Sequence, residues 1–324
     1  MPEHIAAAAL FMSLVFYALT AGADFGGGVW DLLARGERQA EQRKLIAQAI
    51  GPIWEANHVW LVLALVILFS AFPPALAAIA TKLHFPITIL MFGIVFRGAA
   101  FTFRHYSPPD RGTRWELVFA IASVVSPVLL GVTLGAAISG RMGDWLEPFP
   151  IALGAWTLVL FSYLAASYLA VEAPEGPLRD DFARKAIAAG VLVLVLGAVV
   201  TLLARSGAPH VARHLSDRKW AWSFPSATAL SAGLALWLLV KRRVFLARVL
   251  VATEVVLVLT GWACAQYPLL VVPHLTIQEA AAPRSVLVLL DVALAAGALV
   301  LFPCLGYLFK VFKGETAFSV LDKS

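Results

Sequence analysis

Charged side chains are scarce in this chain, since aspartate, glutamate, lysine and arginine make up only 14% of its 324 residues. A soluble globular domain carries about 25% of these residues, so a soluble domain of this size is excluded. Apolar residues make up 60% of the chain, and they recur in runs of roughly 18 to 25 residues, which is the length that an α-helix needs to cross a bilayer. The composition therefore predicts a polytopic, all-α membrane protein.

Several other signals are missing from the sequence. Alternation of apolar and polar residues is absent, which disfavours strands, since backbone in a bilayer is satisfied only within helices or closed barrels. The two cysteines, Cys264 and Cys304, form no CxxC or metal-ligand spacing and are interpreted as small apolar residues. No HxxE, CxxCH or paired-histidine spacing occurs, so we expect no metal or haem ligand in this chain. No basic segment precedes the first apolar run, so we expect no cleavable signal peptide.

The apolar runs predict a single integral membrane domain over residues 1–324 with about nine spans. The predicted spans cover roughly 5–23, 54–73, 83–104, 115–138, 149–171, 184–204, 224–240, 246–267 and 285–310. Glycine and proline indicate where these helices end: Gly22, Phe72-Pro73-Pro74, Ser107-Pro108-Pro109, Gly140, Ala173-Pro174 and Gly314.

The basic residues indicate the orientation in the membrane. If nine spans alternate, the basic residues of the first, third, fifth and seventh connections and of the C-terminal tail lie on one side. The other side carries few basic residues, with the loop 205–223 as the exception. The positive-inside rule then places the N-terminus outside and the C-terminus in the cytoplasm. The net charge of +5 thus reflects membrane orientation, and we expect no nucleic-acid partner.

A group of polar residues opens the second predicted span, in the sequence WEANHVW from Trp54 to Trp60. Glu55 and His58 are three residues apart, and Asn57 adds an amide between them. An ionisable pair at the mouth of a membrane helix predicts a functional site, here at the cytoplasmic face, where a proton path begins. The alternatives are that Glu55 only complements the helix dipole, and that His58 is a haem ligand or a hydrogen-bonded structural residue.

Other ionisable residues lie in or beside the spans. Asp24, in a glycine-rich stretch after the first span, either closes a helix as a solvated carboxylate or joins Glu55 in a proton path. Arg97, in the third span, either extends to the membrane surface or forms an ion pair with Glu55 or Asp24. Glu254 and Asp291 lie in the last two spans, where we expect them to face other helices or a partner subunit rather than lipid.

Four motifs between Thr20 and Arg104 resemble those of subunit II of the cytochrome bd-type quinol oxidases. They are Thr20-x-Gly-x-Asp24-x-Gly-x-Gly28, Gly51-Pro-x-Trp54-Glu-x-Asn57-x-x-Trp60-Leu61, Phe69-x-x-Phe72-Pro73 and Phe96-Arg97-x-x-x-Phe101-x-Phe103-Arg104. The C-terminal Pro303-x-x-x-Tyr307-x-x-x-Lys-Val-Phe312-Lys-Gly314 looks like the end of that family. The resemblance covers essentially the whole chain and is most specific from Thr20 to Arg104.

The resemblance implies an enzyme subunit without a redox centre of its own. It implies a partner, subunit I, that holds b-type and d-type haems, oxidises quinol and reduces oxygen to water with protons drawn from the cytoplasm. Subunit II would scaffold that partner and supply part of the proton path, with the family's acidic positions at Glu55 and Asp24. Many members carry a further Asp where this chain has Ala21, which disfavours a path of three carboxylates.

The resemblance also leaves open a structural quinone in this subunit and a small single-span accessory subunit. It implies a multi-pass protein of the bacterial cytoplasmic membrane. Two alternatives remain from the residues alone: a stand-alone secondary transporter, against which no inverted repeat is found, and a purely structural subunit.

Overall fold

The computed structural model describes the backbone of residues 1–50, 54–106, 109–217 and 222–313. Within these ranges, side chains are described except at residues 50, 54, 55, 104–106, 109–113, 215–217, 309, 310, 312 and 313. The side chains of Trp54 and Glu55 and the predicted helix end at Gly314 therefore lie outside the described residues.

Most of the described chain is α-helical. The helices are α1 Pro2–Leu32, α2 Gln39–Ile50, α3 Trp54–Asn57, α4 Val59–Ala71, α5 Pro73–Lys82, α6 His84–Tyr106, α7 Pro109–Ser139, α8 Pro148–Glu172, α9 Pro177–Gly207, α10 Pro209–Asp217, α11 Ser223–Val240, α12 Val244–Gln266 and α13 Arg284–Lys313. A 3₁₀ turn spans Met142–Asp144. Two short antiparallel strands, β1 Leu269–Val271 and β2 Leu275–Thr276, pair in the connection before α13.

Eight helices in the described residues are long and apolar enough to cross a membrane, and the number is nine if the bent pair of α4 and α5 is counted as one span. This confirms the predicted all-α, polytopic architecture. Helices α8, α11 and α12 begin and end within two residues of the prediction. The strands were not predicted, and they lie between two spans rather than in one.

Helix α1 corrects the first predicted boundary. It does not end at Gly22 but continues to Leu32, so Asp24 lies inside the helix rather than after it. The glycines serve close packing instead of a turn, because a Cβ on Gly26 would overlap the backbone carbonyl of Phe161 in α8. A Cβ on Gly28 would likewise overlap the hydroxyl of Ser123 in α7.

The second predicted span is not one uninterrupted helix. The chain turns at His58, between α3 and α4, and it bends by 117° between α4 and α5, beside Phe72. Pro73 and Pro74 begin α5, and their missing N–H groups end the hydrogen-bond ladder of α4. With 13 residues, α4 is about 20 Å long, which is shorter than the hydrocarbon core of about 30 Å.

Helix α8 is at the centre of the bundle. It is the most buried of the spans and contacts α1, α7, α9 and α12. Ion pairs bring the first, fifth and seventh connections to one end of the bundle: Arg38 with Asp181, Arg242 with Asp180, and Arg248 with Glu172. The basic residues of these connections therefore do share one side, as the alternation of nine spans predicts.

Two helices outside the spans were not predicted. Helix α2 lies in the first connection and packs on α1 and α8, and α10 packs on α9 and α12. In the connection after the strands, Glu279 accepts hydrogen bonds from the backbone N–H and the hydroxyl of Thr276, at 2.9 and 2.7 Å. These bonds hold the pKa of Glu279 below its ordinary value.

Candidate functional site

A buried salt bridge joins α1 to α6. Arg97 and Asp24 are each 2% exposed, and the guanidinium binds both carboxylate oxygens at 2.8 Å. Arg97 also donates to the backbone carbonyl of Asp24 at 3.0 Å and, through Nε, to the hydroxyl of Ser123 in α7 at 3.1 Å. Four bonds thus engage a group with five N–H donors, and they tie three spans together.

Two aromatic rings enclose the same guanidinium. Its carbon atom lies 4.9 Å from the ring centre of Phe25 and 4.8 Å from that of Phe119. Such contacts stabilise a cation that has been taken out of water. The prediction that Arg97 pairs with Asp24 is confirmed, and the alternatives of a surface-reaching Arg97 and a solvated Asp24 are wrong, because both side chains are buried against each other.

His58 belongs to the same region. Its ring centre lies 5.9 Å from that of Tyr17 and 6.0 Å from that of Phe25, and Asp24 and Arg97 lie within electrostatic range of it. His58 also lines an open cavity of about 560 Å³. Its other lining residues come from α6 and include Ile94, Gly98 and Thr102. The structure therefore brings three of the predicted site residues together beside an open cavity.

The remaining predicted site residues precede His58 in the chain. Asn57 is 5% exposed and ends the short helix α3, to which Glu55 also belongs. A turn at His58 separates α3 from α4, so the predicted Glu55–His58 pair lies where two helices meet rather than inside one helix. The role of Glu55 in proton transfer stays a prediction, and so do the roles of Asp24 and His58.

Sequence reasoning missed Ser123, Tyr17 and the two rings that enclose Arg97. Ser123 is the polar residue that fixes the guanidinium from α7, but nothing in its spacing relates it to Arg97. The only signal in the sequence is that Arg97 lies deep in an apolar run, where a cation requires several partners.

A second polar cluster lies between α8 and α12. Glu254 is 1% exposed, and Tyr163, within electrostatic range of it, is also 1% exposed. One carboxylate oxygen of Glu254 and the hydroxyls of Tyr163 and Ser167 have no hydrogen-bond partner within the described chain. Glu254 therefore faces the protein interior, as predicted from its place in a span.

Glu254→Gln is expected to leave the protein close to wild-type stability, within about 1 kcal/mol, because none of the described residues pairs a cation with this carboxyl. Glu254→Lys is expected to cost several kcal/mol, since it buries a charge without a partner. Thermal inactivation of the purified protein measures both. Equal losses for the two variants would contradict this account of the cluster.

Among the described residues, no group of three or more His, Cys, Asp or Glu side chains is placed to hold a metal ion. His84, the second histidine near a span, is exposed at the start of α6, and its Nδ1 lies 2.9 Å from the carbonyl of Thr81. It belongs to none of the three-residue ligand groups sought in the described chain.

Comparison with known sequences finds one family over almost the whole chain. The family model described as cytochrome bd terminal oxidase subunit II matches residues 2–312. The chain is 30% identical over 171 residues to the cytochrome bd ubiquinol oxidase subunit 2 of Bacillus subtilis (strain 168), which covers 49% of each protein. The chain thus spans about half the length of that relative. It is also 21% identical to a putative cytochrome bd menaquinol oxidase subunit II of the same organism, over 96% of this chain and 95% of the relative.

The fold is similar to that of a solved protein. A chain of the bd oxidase from Geobacillus thermodenitrificans superposes with a TM-score of 0.81, at 21% sequence identity. The alignment covers 96% of this chain and 98% of that one. The arrangement of the helices thus belongs to a known fold.

Proposed function

Because this chain belongs to the cytochrome bd terminal oxidase subunit II family, we propose that it is a subunit of a membrane oxidase that couples quinol oxidation to the reduction of oxygen to water. The family match over residues 2–312 carries this proposal. The partner is a haem-bearing subunit I, whose b-type and d-type haems supply the redox chemistry. The complex belongs to an aerobic respiratory chain in the cytoplasmic membrane of a bacterium.

We propose that the end of the bundle where the ion-paired connections meet lies in the cytoplasm. The basic residues of these connections support this orientation under the positive-inside rule. The N-terminus is then outside, and α3 and the end of α1 are near the cytoplasmic face. Protons for oxygen reduction come from that side.

The partner covers the outer face of α13 in this proposal. Helix α13 is the least buried of the spans, yet it carries Asp291, one of whose carboxylate oxygens is buried without a hydrogen-bond partner in the described chain. A carboxyl group in a span faces protein rather than lipid. Asp291 meets this requirement within the chain, since it lies within electrostatic range of Glu3 and the N-terminus. The exposed apolar side chains of α13, such as Leu289 and Leu299 at 71% and 79% exposed, are the surface that subunit I covers.

The proton path begins at Glu55 and passes His58 in this proposal. His58 borders the cavity against α6, and a proton carrier needs a group that changes charge state beside space for water. Asp24 contributes differently, because both of its oxygens are bound by Arg97, and protonating it would leave a buried cation unpaired. We assign Asp24 and Arg97 to holding a fixed charge pair beside the entrance.

Glu55→Gln tests the proton path in the purified complex. We expect the absorption spectrum to show the wild-type haem content, while oxygen consumption with quinol falls at least about tenfold, as for loss of a positioned proton-transfer group. Glu41→Gln is the matched control, since it removes an exposed carboxylate from α2 on the same side of the bundle. Turnover should be unchanged in this control.

Two outcomes would contradict parts of this proposal. Full turnover in Glu55→Gln with normal haem content would leave the chain a purely structural subunit. Purification of this chain without a haem-bearing partner would contradict the oxidase assignment itself.

A further inference from the structure

A second cavity, of about 480 Å³, opens at the end of the bundle where the basic connections meet. It lies between the α1–α2 connection, α2 and the first turns of α9. Four cationic side chains line it, against the two carboxylates of Glu37 and Asp181: Arg35, Arg38, Arg184 and Lys185. The cavity therefore carries an excess of positive charge.

The inner wall of this cavity is fixed by hydrogen bonds. Asp181 accepts from Nε and Nη2 of Arg38 at 2.7 and 2.8 Å and also pairs with Arg184. Gln42, 4% exposed, accepts from the ammonium group of Lys185 at 2.7 Å. The guanidinium and ammonium groups are thus held in place before any ligand binds, which lowers the ordering cost of binding.

The rim of the cavity is open to a ligand. Arg35 is exposed and makes no ion pair within the described chain. Arg184 pairs with Asp181, but its side chain is still 70% exposed. Gly36 has a φ of +84°, and no atom lies within 4 Å of the position that a Cβ would take. The turn therefore leaves the opening clear between the two arginines and the bundle.

Apolar surface adjoins the charges. Leu33 lines the cavity, and Leu32 and Leu33 are 43% and 45% exposed at the end of α1. Helices α1 and α9 are both membrane spans, so the cavity lies where their apolar lengths meet the water phase. A ligand here meets cations on one side and hydrocarbon on the other.

We propose that this cavity binds the phosphate headgroup of an anionic phospholipid. Arg35 and Arg184 reach the phosphate, since guanidinium groups match phosphate oxygens in pairs. Arg38 and Lys185 support them from the inner wall, and Leu32 and Leu33 contact the acyl chains. Basic pockets between spans on the cytoplasmic side are typical sites for such headgroups. The adjoining leucines favour a lipid over a free phosphate ion.

The test uses the purified complex in detergent, with native mass spectrometry after addition of phosphatidylglycerol or phosphatidylcholine at equal concentrations. The wild-type complex should retain phosphatidylglycerol preferentially. Arg35→Gln/Arg184→Gln should weaken this retention about tenfold to thirtyfold, since each cation near an anionic lipid contributes to binding. Lys44→Gln/Arg243→Gln, which removes two exposed cations from the same end outside the cavity, should retain it fully.

Three outcomes would overturn the proposal. They are equal retention of the two lipids by the wild type, an equal loss in both double variants, and displacement of phosphatidylglycerol by inorganic phosphate, which would indicate a free-phosphate site. Absorption spectra verify that each variant is assembled. If the double variant does not assemble, Arg35→Gln alone decides, because this exposed side chain makes no hydrogen bond or ion pair within the described chain.

Discussion

Arg97→Ala is expected to reduce the yield of assembled, haem-bearing complex severely. The change leaves the Asp24 carboxylate buried without its cation and removes the bond to Ser123. Breaking a buried ion pair by removing one partner typically costs about 3–5 kcal/mol, which is a large share of the 5–15 kcal/mol that separates most native states from unfolded ones. Yield after purification and the temperature of haem loss measure the effect.

Two further variants distinguish the effect of the Asp24–Arg97 charge pair on stability from the effect of side-chain packing. Arg97→Lys should also lose stability, because an ammonium group cannot bind both carboxylate oxygens and Ser123 in the same plane. The double variant Asp24→Asn/Arg97→Leu should be more stable than Arg97→Ala, because it buries neither charge. Wild-type yield of Arg97→Ala would show that the pair does not hold α1, α6 and α7 together.

The membrane-spanning helices were predictable because each depends only on the apolar run of sequence that forms it. An apolar run of sufficient length must be helical in a bilayer, and this fixed helices α8, α11 and α12 to within two residues. The pair Pro73-Pro74 also marked the end of α4 correctly. The angle between α4 and α5 was not predictable, because it depends on what each helix packs against.

The glycines of α1 explain why the end of the first span was predicted wrongly. The sequence Gly26-Gly27-Gly28 is compatible with a turn or with close helix packing, and only the partner helix decides between them. The Asp24–Arg97 bond joins residues 73 positions apart, so the sequence offered it only as one of several pairings. Helices α2 and α10 escaped detection because neither is an apolar run of span length.

Gly26→Ala is expected to be the most damaging of the small substitutions in α1. An added Cβ would overlap the carbonyl of Phe161 and lie 2.8 Å from Cβ of Ala165. A backbone carbonyl in the middle of α8 cannot rotate away as a side chain does, so the two helices must separate. Overpacking typically costs about 1–3 kcal/mol, and here the displacement also pulls Asp24, two residues earlier, away from Arg97.

Gly233→Ala in α11 provides the matched control, because no atom lies within 4 Å of the added Cβ. Alanine is favoured over glycine in a helix interior by about 1 kcal/mol, so this variant should be as stable as the wild type or more so. The temperature of haem loss from the purified complex should fall for Gly26→Ala and not for Gly233→Ala. Equal temperatures for the two variants would mean that α1 and α8 tolerate a wider separation, and the glycines of α1 would then need another explanation than close packing.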